Sequence, residues 1–312
     1  MSLPYVVARA TVTRAERLSP AFARIELAAP ELADLGVDGP WFDQRVKLVF
    51  PSADGALPPV ETPGDWFDDW HALPPAERGS MRTYSVRDLR GEEEETRLVV
   101  DLVLHLKPGH TGPASSWAAT AAPGDQLIVV GPRRGNPFGG IEFEPGSADE
   151  LLLVGDETAV PAISRILADV PADTQGAVFL EVPSQDDILA LSAPAGVRTT
   201  WLARGESALG ERLLPAVLDH LGTSGRDATV EEYDAAGGLV FWDTPSLPLD
   251  DESDAAPAAA APGPRRDGLY AWIAGESGVV TSLRRHLVNE VGLDRSQVAF
   301  MGYWRRGVAM RS

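Results

Sequence analysis

The chain has 312 residues, of which 44% are hydrophobic and 23% charged, which is long enough for two domains that each bury a core. Its net charge of −19 argues against binding to nucleic acid or to anionic membrane surfaces, because both need clustered Lys and Arg. There is no cysteine, which excludes disulfides, thiolate metal sites, Cys-ligated iron–sulfur clusters and a cysteine nucleophile, so redox chemistry would need a bound organic cofactor.

The first half of the chain carries short strand patterns separated by Gly, Pro and Asp. Its start alternates apolar and polar residues, which differs from a signal peptide, and no apolar run approaches the ~18 residues of a membrane helix. We therefore expect a cytoplasmic protein. The strand patterns predict an antiparallel β-barrel of six strands within residues 1–145. They are YVVARATVT, AFARIELAA, RVKLVF, RTYSVR, TRLVVDLVLHL and DQLIVVGP.

In the second half, strand patterns alternate with helical ones, which predicts a parallel sheet with helices on its faces in residues 146–312. An insertion at residues 243–266 is acidic and then rich in Ala and Pro, so we expect it to be disordered. The strand patterns are LLLVG, GAVFLEV, VRTTWLA, LYAWIAGE and QVAFMGYW, and the helical ones are AVPAISRILADV, LGERLLPAVLDHL and GVVTSLRRHLVNEV.

The stretch RTYSVR, residues 82–87, places two arginines around a tyrosine and a hydroxyl. The period of two in a strand sends Arg82 and Tyr84 to one face. Thr83 and Ser85 then point to the other face. A guanidinium suits a phosphate, a phenol ring can lie against an aromatic system, and a hydroxyl can bond a ring nitrogen, which together fit a large planar anionic cofactor. The alternative is an edge strand with a surface arginine and a half-buried tyrosine.

A predicted strand that ends at Leu106 leads into a Gly/Pro loop and a short helical pattern, GPASSWA. Its residues Gly112, Ala114 and Ser115 are small, so the backbone there can come close to a ligand. Free N–H groups at a helix start bind phosphate groups, and the pattern therefore fits a pyrophosphate. A plain helix start without a ligand is the alternative.

Two stretches of the second half share one pattern, in which a strand is followed by Gly, an acidic residue and a helix. In LLLVGDETAVPAI, Gly155 ends the strand and Pro161 falls in the first helical turn, where its missing N–H costs nothing. WIAGESGVV repeats the pattern with Gly275 and Glu276. Ligands bind at the carboxyl ends of parallel strands, so the repetition favours a nicotinamide dinucleotide lying across them. The alternative makes the acidic residues helix N-caps only.

Seven motifs, taken in order, resemble those of the siderophore-interacting proteins, which are FAD-dependent ferric-siderophore reductases built on the ferredoxin–NADP reductase plan. The motifs span nearly the whole chain, with residues 243–266 outside them. The resemblance implies an FAD-binding barrel over residues 1–145 and an NAD(P)H-binding α/β domain over residues 146–312. The motifs are RTYSVR, Asp101 with His105 in DLVLH, GPASSWA, GPRRG, GDETAVPAI, AGE and GYWRRG.

The resemblance also assigns cofactor residues. RTYS resembles the flavin motif R-x-Y-[ST], with Tyr84 beside the isoalloxazine and Ser85, where the family usually has Thr, near its reactive nitrogen. These two are the predicted catalytic residues. The full set that would bind FAD, and NADPH or NADH, is Arg82, Thr83, Tyr84, Ser85, Arg87, Asp101, His105, Gly112, Pro113, Ala114, Ser115, Trp117, Asp156, Glu157, Thr158, Ala159, Gly275, Glu276, Tyr303, Trp304 and Arg305.

A ferric siderophore is the implied substrate. Lys47, in RVKLVFP, matches a position that faces it, and Arg133, in GPRRG, matches a second. Arg134 and Arg306 complete the predicted substrate-binding set. A ferric tris-catecholate is a trianion, and each opposite charge at ~4 Å is worth on the order of 1 kcal/mol in water and about 4 kcal/mol at a dielectric constant near 20. The alternative is a set of basic residues that are merely solvated.

The implied reaction transfers a hydride from the nicotinamide to the flavin, which then passes electrons singly to iron held by its own chelator. Fe(II) leaves because hard oxygen ligands bind it less well than Fe(III). The histidines show no metal-ligand spacing, so we predict no protein-bound metal. We also expect a monomer.

Two other functions stay open at this point. One is a different FAD-dependent NAD(P)H oxidoreductase, which would share the cofactor motifs and not need Lys47 and Arg133. The other is a non-enzymatic siderophore-binding carrier, which would need no nicotinamide site. Catecholate and hydroxamate siderophores both stay open, as do NADH and NADPH, although Glu181 at the end of GAVFLEV favours a ribose hydroxyl and NADH.

Overall fold

The computed structural model describes residues 3–61, 65–106, 111–136, 138–223, 242–243 and 268–307. The chain divides into two units, the first built mainly from residues 1–141 and the second mainly from residues 142–311. Apart from Asp243, the predicted disordered insertion at residues 243–266 lies outside the described residues. No helix in the described ranges is long and apolar enough to cross a membrane.

The first unit is built on an antiparallel sheet of seven strands. These are β1 (Tyr5–Ser19), β2 (Phe22–Ala28), β3 (Arg45–Phe50), β4 (Ser80–Ser85), β5 (Asp88–Arg90), β6 (Arg97–Val103) and β7 (Gln126–Pro132). Their spatial order is β4-β3-β7-β1-β2-β6-β5, and β4 and β5 do not pair, so the sheet is an open half-barrel. The predicted antiparallel architecture is confirmed. The count of six strands was wrong, because the three residues of β5 are too few to show an alternating pattern.

Alternation along these strands creates two apolar layers. Leu48 and Phe50 of β3 face the main core of the unit. Alternate residues of β1, β2, β6 and β7 contribute to the same core. Val49, between them, faces the opposite side and packs with Trp66 and Trp70 in a second, smaller layer. A side chain on β4 therefore lies over one layer or the other according to its position along the strand.

Two short helices accompany this sheet, α1 (Trp66–Ala72) and α2 (Pro113–Thr120). Helix α1 begins where the carboxylate of Asp65 accepts a hydrogen bond from Phe67 N at 2.9 Å, and it ends before Pro74. Its residues Trp66 and Trp70, one turn apart, bury their rings in the second layer. Helix α2 packs against β2, β3, β4 and β6. Two 3₁₀ segments, Pro30–Asp34 and Glu93–Glu95, complete the unit.

The second unit contains a sheet of five parallel strands and one short antiparallel edge strand. These are β8 (Glu150–Gly155), β9 (Gln175–Val182), β10 (Gly196–Ala203), β11 (Trp242–Asp243), β12 (Leu269–Glu276) and β13 (Val298–Trp304). Their spatial order is β10-β9-β8-β12-β13-β11, with only β11 antiparallel. The predicted parallel sheet is confirmed. The chain order reverses between β8 and β12, and open parallel sheets bind ligands outside the carboxyl ends at such a point.

Three helices belong to this part of the chain, α3 (Val160–Asp169), α4 (Leu213–His220) and α5 (Ser277–His286). All eight residues of β12 are buried, as expected of a central parallel strand covered on both faces. Helix α5 continues as a π turn over Leu287–Val291 and ends at Gly292, whose φ of 79° favours glycine. Two 3₁₀ segments, Gln185–Asp187 and Arg295–Gln297, lie in the connections.

Candidate functional site

Strand β4 lies at one end of the half-barrel, and its residues alternate as predicted. Lys47 on β3 lies opposite Thr83, and its Nζ donates a hydrogen bond to Thr83 Oγ1 at 2.7 Å. The ring of Tyr84 turns to the other face, where its centroid lies 6.1 Å from that of Phe50. Burial raises the pKa of Tyr84 further above its ordinary value of 10.0. One face of β4 therefore presents a cation and a hydroxyl, and the other presents an aromatic ring.

Three aromatic rings connect β4 with α2. Phe50 contacts Tyr84 and also Trp117 of α2. The rings of Phe50 and Trp117 pack edge to face, with their centroids 5.3 Å apart. Tyr84 and Trp117 are only partly buried and both pack against the main core. The motifs RTYSVR and GPASSWA, which are distant in the sequence, thus lie together in the first unit.

The start of α2 also approaches the end of β6. Ser115 Oγ donates to Val103 O at 3.2 Å and accepts from His105 N at 3.2 Å. Gly112 is the N-cap, with extended backbone and no side-chain hydrogen bond to the helix, and Pro113 occupies the first turn. This leaves the first main-chain N–H groups of the helix without a side-chain cap, which is the arrangement that binds a phosphate group.

The carboxylate of Asp101 pairs with two arginines. Arg24 donates to both of its oxygens, at 2.7 and 2.8 Å, and Arg87 Nε lies 3.7 Å away. Asp101 is buried, and its hydrogen bond is the main cause of a raised pKa at Arg24. Asp101 therefore contacts two guanidinium groups, one of which belongs to Arg87 at the end of RTYSVR.

Sequence analysis missed Arg24, which lies 77 residues before Asp101. The two face each other directly across β2 and β6. The available signal was a charged residue within the mainly apolar pattern of each strand, and the sequence alone does not say that these two strands are neighbours.

Lys47 and Arg82 have no acidic partner among the described residues. Arg82 donates to the carbonyl of Met81 at 2.7 Å, and Lys47 bonds only the hydroxyl of Thr83. Burial, and then the positive charge of Arg45, lowers the pKa of Lys47. A partly buried cation without a counter-ion is unfavourable, so an anionic ligand at this edge would stabilise it.

The other predicted substrate residues are placed differently. Arg133 forms an ion pair with Asp34 and donates to Leu3 O at 2.9 Å. Arg134 donates to a main-chain carbonyl, and Arg306 is exposed in the second unit. Arg133 is therefore already neutralised by an acid, whereas Lys47 is not.

In the second unit, Asp156 joins the ends of three strands. It follows β8 and is buried. Its Oδ1 accepts from Thr158 N at 2.8 Å and from the Thr158 hydroxyl. Its Oδ2 accepts from Glu276 N of β12 and from Trp304 Nε1 of β13, both at 2.8 Å. Burial, and then the negative charge of Glu157, raises the pKa of Asp156 to about 7. Asp156 is therefore more than a helix cap.

Two glycines make this close approach possible. A Cβ at Gly155 would lie 2.3 Å from the side chain of Ala159, which is buried. Gly275 has a φ of 146°, and a Cβ there would lie 2.7 Å from Asp156 Oδ2. The strand–Gly–acid pattern thus has a physical reason at both positions, because a side chain at Gly155 would clash with Ala159 and one at Gly275 with the Asp156 carboxylate.

Glu157 takes part in a second buried cluster, in which two carboxylates share one guanidinium. Arg204 follows β10 and donates to both oxygens of Glu157, each at 3.2 Å, and to Glu181 Oε2 at 3.2 Å. Glu181 is fully buried on β9, and this ion pair uses only its Oε2 oxygen. Burial alone would lower the pKa of Arg204. The hydrogen bonds and charges of Glu157 and Glu181 outweigh this effect, so the net pKa is raised. Sequence analysis missed Arg204.

The last motif lies beside the start of α5. Glu276 caps this helix by accepting from Gly278 N at 2.8 Å and Val279 N at 3.2 Å, and Ser277 Oγ donates to Trp304 O at 3.0 Å. The Tyr303 ring packs edge-on against Trp272. Tyr303 and the neighbouring Arg305 are partly exposed. Of the predicted residues in this unit, Asp156, Thr158, Glu276 and Trp304 are thus brought together directly.

A small pocket lies at these strand ends. The centre of a water molecule can move within ≈10 Å³ of this pocket, so the pocket has room for about one water. Its polar lining includes Asp156, Glu181 and Glu276, with Gly155 and Gly275 supplying backbone. Glu181 Oε1 is buried there without a hydrogen-bond donor among the described residues. No group of three His, Asp or Glu side chains in the described ranges is arranged to hold a metal ion.

Comparison with known proteins agrees with this arrangement. The model of the siderophore-interacting FAD-binding domain matches residues 11–136, and that of the siderophore-interacting protein matches residues 148–307. A Mycobacterium tuberculosis protein, Rv2895c, is 33% identical over 301 residues, which cover 95% of this chain and 89% of that protein. The ferric vibriobactin reductase ViuB of Vibrio cholerae is 30% identical over 264 residues, 84% of this chain and 77% of ViuB.

A solved structure supports the same conclusion. The crystal structure of a siderophore utilization protein from T. fusca has a TM-score of 0.67 and 29% identity, and the match covers 99% of this chain and 96% of that one. The matches therefore include both units and both motif groups. The chain belongs to the siderophore-interacting protein family, and its first unit is that family's FAD-binding domain.

Proposed function

We propose that this protein is a cytoplasmic, monomeric flavoenzyme that carries electrons from NADH or NADPH through FAD to a ferric siderophore and releases Fe(II). Similarity to a ferric vibriobactin reductase supports the reduction step. The observation that carries the proposal is strand β4, where Lys47, without an acidic partner in the described ranges, lies over one face and the Tyr84 ring over the other. An enzyme that brings a flavin to an anionic iron chelate needs both features together.

The chemistry of the first unit fits FAD. Arg82 is a cation that no described carboxylate neutralises, and the start of α2 at Gly112 lacks a side-chain cap. We propose that Arg82 and the main chain of Gly112 to Trp117 bind the phosphates, and that Tyr84 and Trp117 contact the aromatic part. Asp101 would act indirectly, by holding the guanidinium group of Arg87.

FAD, when bound, would supply hydride acceptance and one-electron transfer, which the side chains of a chain without cysteine do not offer. The protein's own part is orientation and exclusion of water. Tyr84 presents a neutral phenol, since its ordinary pKa is already 10.0 and burial raises it further. Ser85 is buried at the end of β4, and we propose that its hydroxyl hydrogen-bonds the flavin ring.

The ferric siderophore would be attracted by Lys47. Its pKa is lowered by burial and by Arg45, so two positive charges stand near each other on this face. We propose that the negative charge of the chelate relieves their repulsion. Arg133, already paired with Asp34, is a weaker candidate, and Arg134 and Arg306 stay predicted contributors.

The strand ends of the second unit are the proposed NAD(P)H site. Gly155 and Gly275 admit a close backbone approach, and Asp156 fixes Trp304 at the end of β13. A nucleotide bound at these carboxyl ends would follow the general rule for open parallel sheets. Tyr303 and Arg305, which are partly exposed beside Trp304, would complete the site.

The test is an anaerobic reaction followed in two steps. NADH or NADPH is added to FAD-loaded protein while the visible flavin absorbance is recorded, and a ferric catecholate is then added with an Fe(II) trap. We expect at least one nucleotide to bleach the flavin, and the colour to return as Fe(II) appears. Lys47→Ala should raise the siderophore concentration needed by about tenfold and leave bleaching intact.

Arg14→Ala is the matched control, because Arg14 is an exposed cation of the same unit that pairs with Glu16. It should react as the wild type does. Failure of both nucleotides to bleach the flavin would favour a non-enzymatic carrier. Bleaching without Fe(II), over several siderophore types, would favour a different FAD-dependent oxidoreductase.

A further inference from the structure

Arg204 is a partly buried cation that two buried acids contact at the carboxyl end of the second unit's sheet. Its side chain is 15% exposed, and those of its partners Glu157 and Glu181 are 4% and 0% exposed. Glu157 binds it through both oxygens, and Glu181 Oε2 also accepts from Gly210 N at 3.0 Å. This cluster carries one positive charge and two negative ones. Its position is set by strands β8, β9 and β10 and not by a flexible loop alone.

The surroundings of the cluster do not restore a positive potential. Beyond Arg204, the connection to Arg212 contains two glutamates, Glu206 and Glu211, and one arginine, so it adds a further negative charge. Arg212 itself is exposed and donates to the hydroxyl of Ser207. The buried glutamates consequently leave this corner of the sheet negative.

The sign of the potential at this corner matters for the choice of nicotinamide coenzyme. NADPH differs from NADH by a phosphate on the ribose 2′-oxygen. In parallel nucleotide-binding sheets an acid after the second strand suits the 2′-hydroxyl of NADH, and a nearby arginine accommodates the 2′-phosphate. This chain has both, since Glu181 ends β9 and Arg204 follows β10, and the two are bonded to each other.

We propose that Glu157 and Glu181 neutralise Arg204 and thereby select NADH against NADPH, an inference that rests on the nicotinamide site proposed above. A 2′-phosphate brings negative charge to a corner where the guanidinium of Arg204 is already shared by two carboxylates. A 2′-hydroxyl brings no charge and can donate a hydrogen bond. Glu181 Oε1, which has no donor among the described residues, adds to the negative potential.

The experiment measures binding by calorimetry on FAD-loaded protein. The probes are NAD⁺ and NADP⁺, and the fragments adenosine 5′-monophosphate and adenosine 2′,5′-bisphosphate. The proteins are the wild type, Glu157→Gln, the double variant Glu157→Gln with Arg204→Gln, and Glu206→Gln. Glu206 is an exposed glutamate two residues from Arg204, so its variant removes the same charge without touching the cluster.

We expect the wild type to bind NAD⁺ at least about tenfold more tightly than NADP⁺. Glu157→Gln should reduce this ratio about tenfold, because one of the two charges that neutralise Arg204 is gone. The double variant should return the ratio towards the wild-type value. Glu206→Gln should change the ratio less than twofold.

Several results would overturn the proposal. A wild type that binds NADP⁺ as tightly as NAD⁺ contradicts it outright, even where Glu157→Gln does not fold. If Glu157→Gln and Glu206→Gln change the ratio of NAD⁺ to NADP⁺ affinity equally, the effect is one of general charge. The same conclusion follows if the gain in NADP⁺ affinity persists in the double variant that lacks Arg204. Binding of neither nucleotide by the wild type would instead overturn the proposed function, and the inference with it.

Discussion

The two units treat charged side chains at their proposed sites in opposite ways. In the first unit, Lys47 and Arg82 have no acidic partner among the described residues. In the second, Asp156 accepts four hydrogen bonds and Glu157 binds Arg204 through both oxygens. The first arrangement carries an unbalanced charge that a ligand can neutralise. In the second, hydrogen bonds and an ion pair within the unit satisfy the carboxylates and hold the strand ends together.

This contrast follows from what each charge costs. A buried carboxylate is tolerated when donors surround it, and removing it leaves those donors unsatisfied. An unpaired cation is tolerated at the expense of stability, and proteins retain such groups where they bind something. Substitutions in the two units should therefore have opposite effects on stability.

The largest expected effect is that of Asp156→Ala. This substitution removes the acceptor of Thr158 N, Glu276 N and Trp304 Nε1, and we expect it to lower the free energy of unfolding by about 3 to 5 kcal/mol. Urea denaturation measures the loss, and hydrogen exchange of β12 and β13 locates it. Asp186→Ala, at an exposed acid of the same unit, should change stability by less than about 0.5 kcal/mol. Equal effects of the two substitutions would show that Asp156 joins nothing of energetic importance.

Asp156 also predicts how stability depends on pH. Burial and the charge of Glu157 raise its pKa from 3.8 to about 7 in the folded protein. Between these values the folded state holds a proton that the unfolded chain has released. The stability from this group is therefore complete below the unfolded pKa and is lost as the pH rises through the folded one.

We expect the wild type to lose about 2.5 kcal/mol relative to Asp156→Asn between pH 5 and pH 8. Asn does not titrate, so the difference between the two proteins isolates this one group. Urea denaturation at intervals of half a pH unit gives the curve. A difference that is flat over this range, or that rises with pH, contradicts the raised pKa.

Much of the fold is predictable because strand and helix patterns are local. Alternation in RTYSVR correctly separated Thr83 from Tyr84, and the two rhythms of the chain correctly distinguished the two sheets. Strand β5 was missed because three residues carry no period. The crowded positions of Gly155 and Gly275 were also predictable, because a position with no room for a Cβ requires glycine in the sequence.

The partners of the charged residues were much less predictable. Arg24 and Arg204 entered no motif, yet each determines how a predicted acid is used. Pairing across a sheet depends on strand order, and strand order depends on the sum of many weak packing preferences. A sequence pattern therefore identified Asp101 and Glu157 as special without saying which cations they bind.

A smaller effect is expected for flavin binding when Arg82 is replaced. Arg82→Gln removes a cation that no described acid uses, so it should raise the dissociation constant for FAD about tenfold with little change in the stability of the FAD-free protein. Fluorescence titration of FAD into the stripped protein measures the constant. Arg97→Gln, on β6 and without an ion pair among the described residues, is the control. Equal flavin affinity in both variants would remove Arg82 from the proposed site.

The smallest effect, and the one of opposite sign, is expected for Lys47→Met. Methionine keeps the unbranched length of lysine and removes a charge that burial and Arg45 disfavour. The hydrogen bond to Thr83 is lost, but the cost of the partly buried charge disappears with it, so we expect the FAD-free protein to become more stable by about 1 kcal/mol. The midpoint of urea unfolding and the hydrogen exchange of β3 and β4 measure the change. Arg14→Met, at a side chain that is 60% exposed, should stay within about 0.5 kcal/mol of the wild type.

If Lys47→Met is instead destabilising, Lys47 supports the sheet and has no unbalanced charge for a substrate to neutralise. If it is stabilising and also weakens the ferric siderophore, the first unit gives up stability for binding at this position, as the comparison with Asp156 predicts.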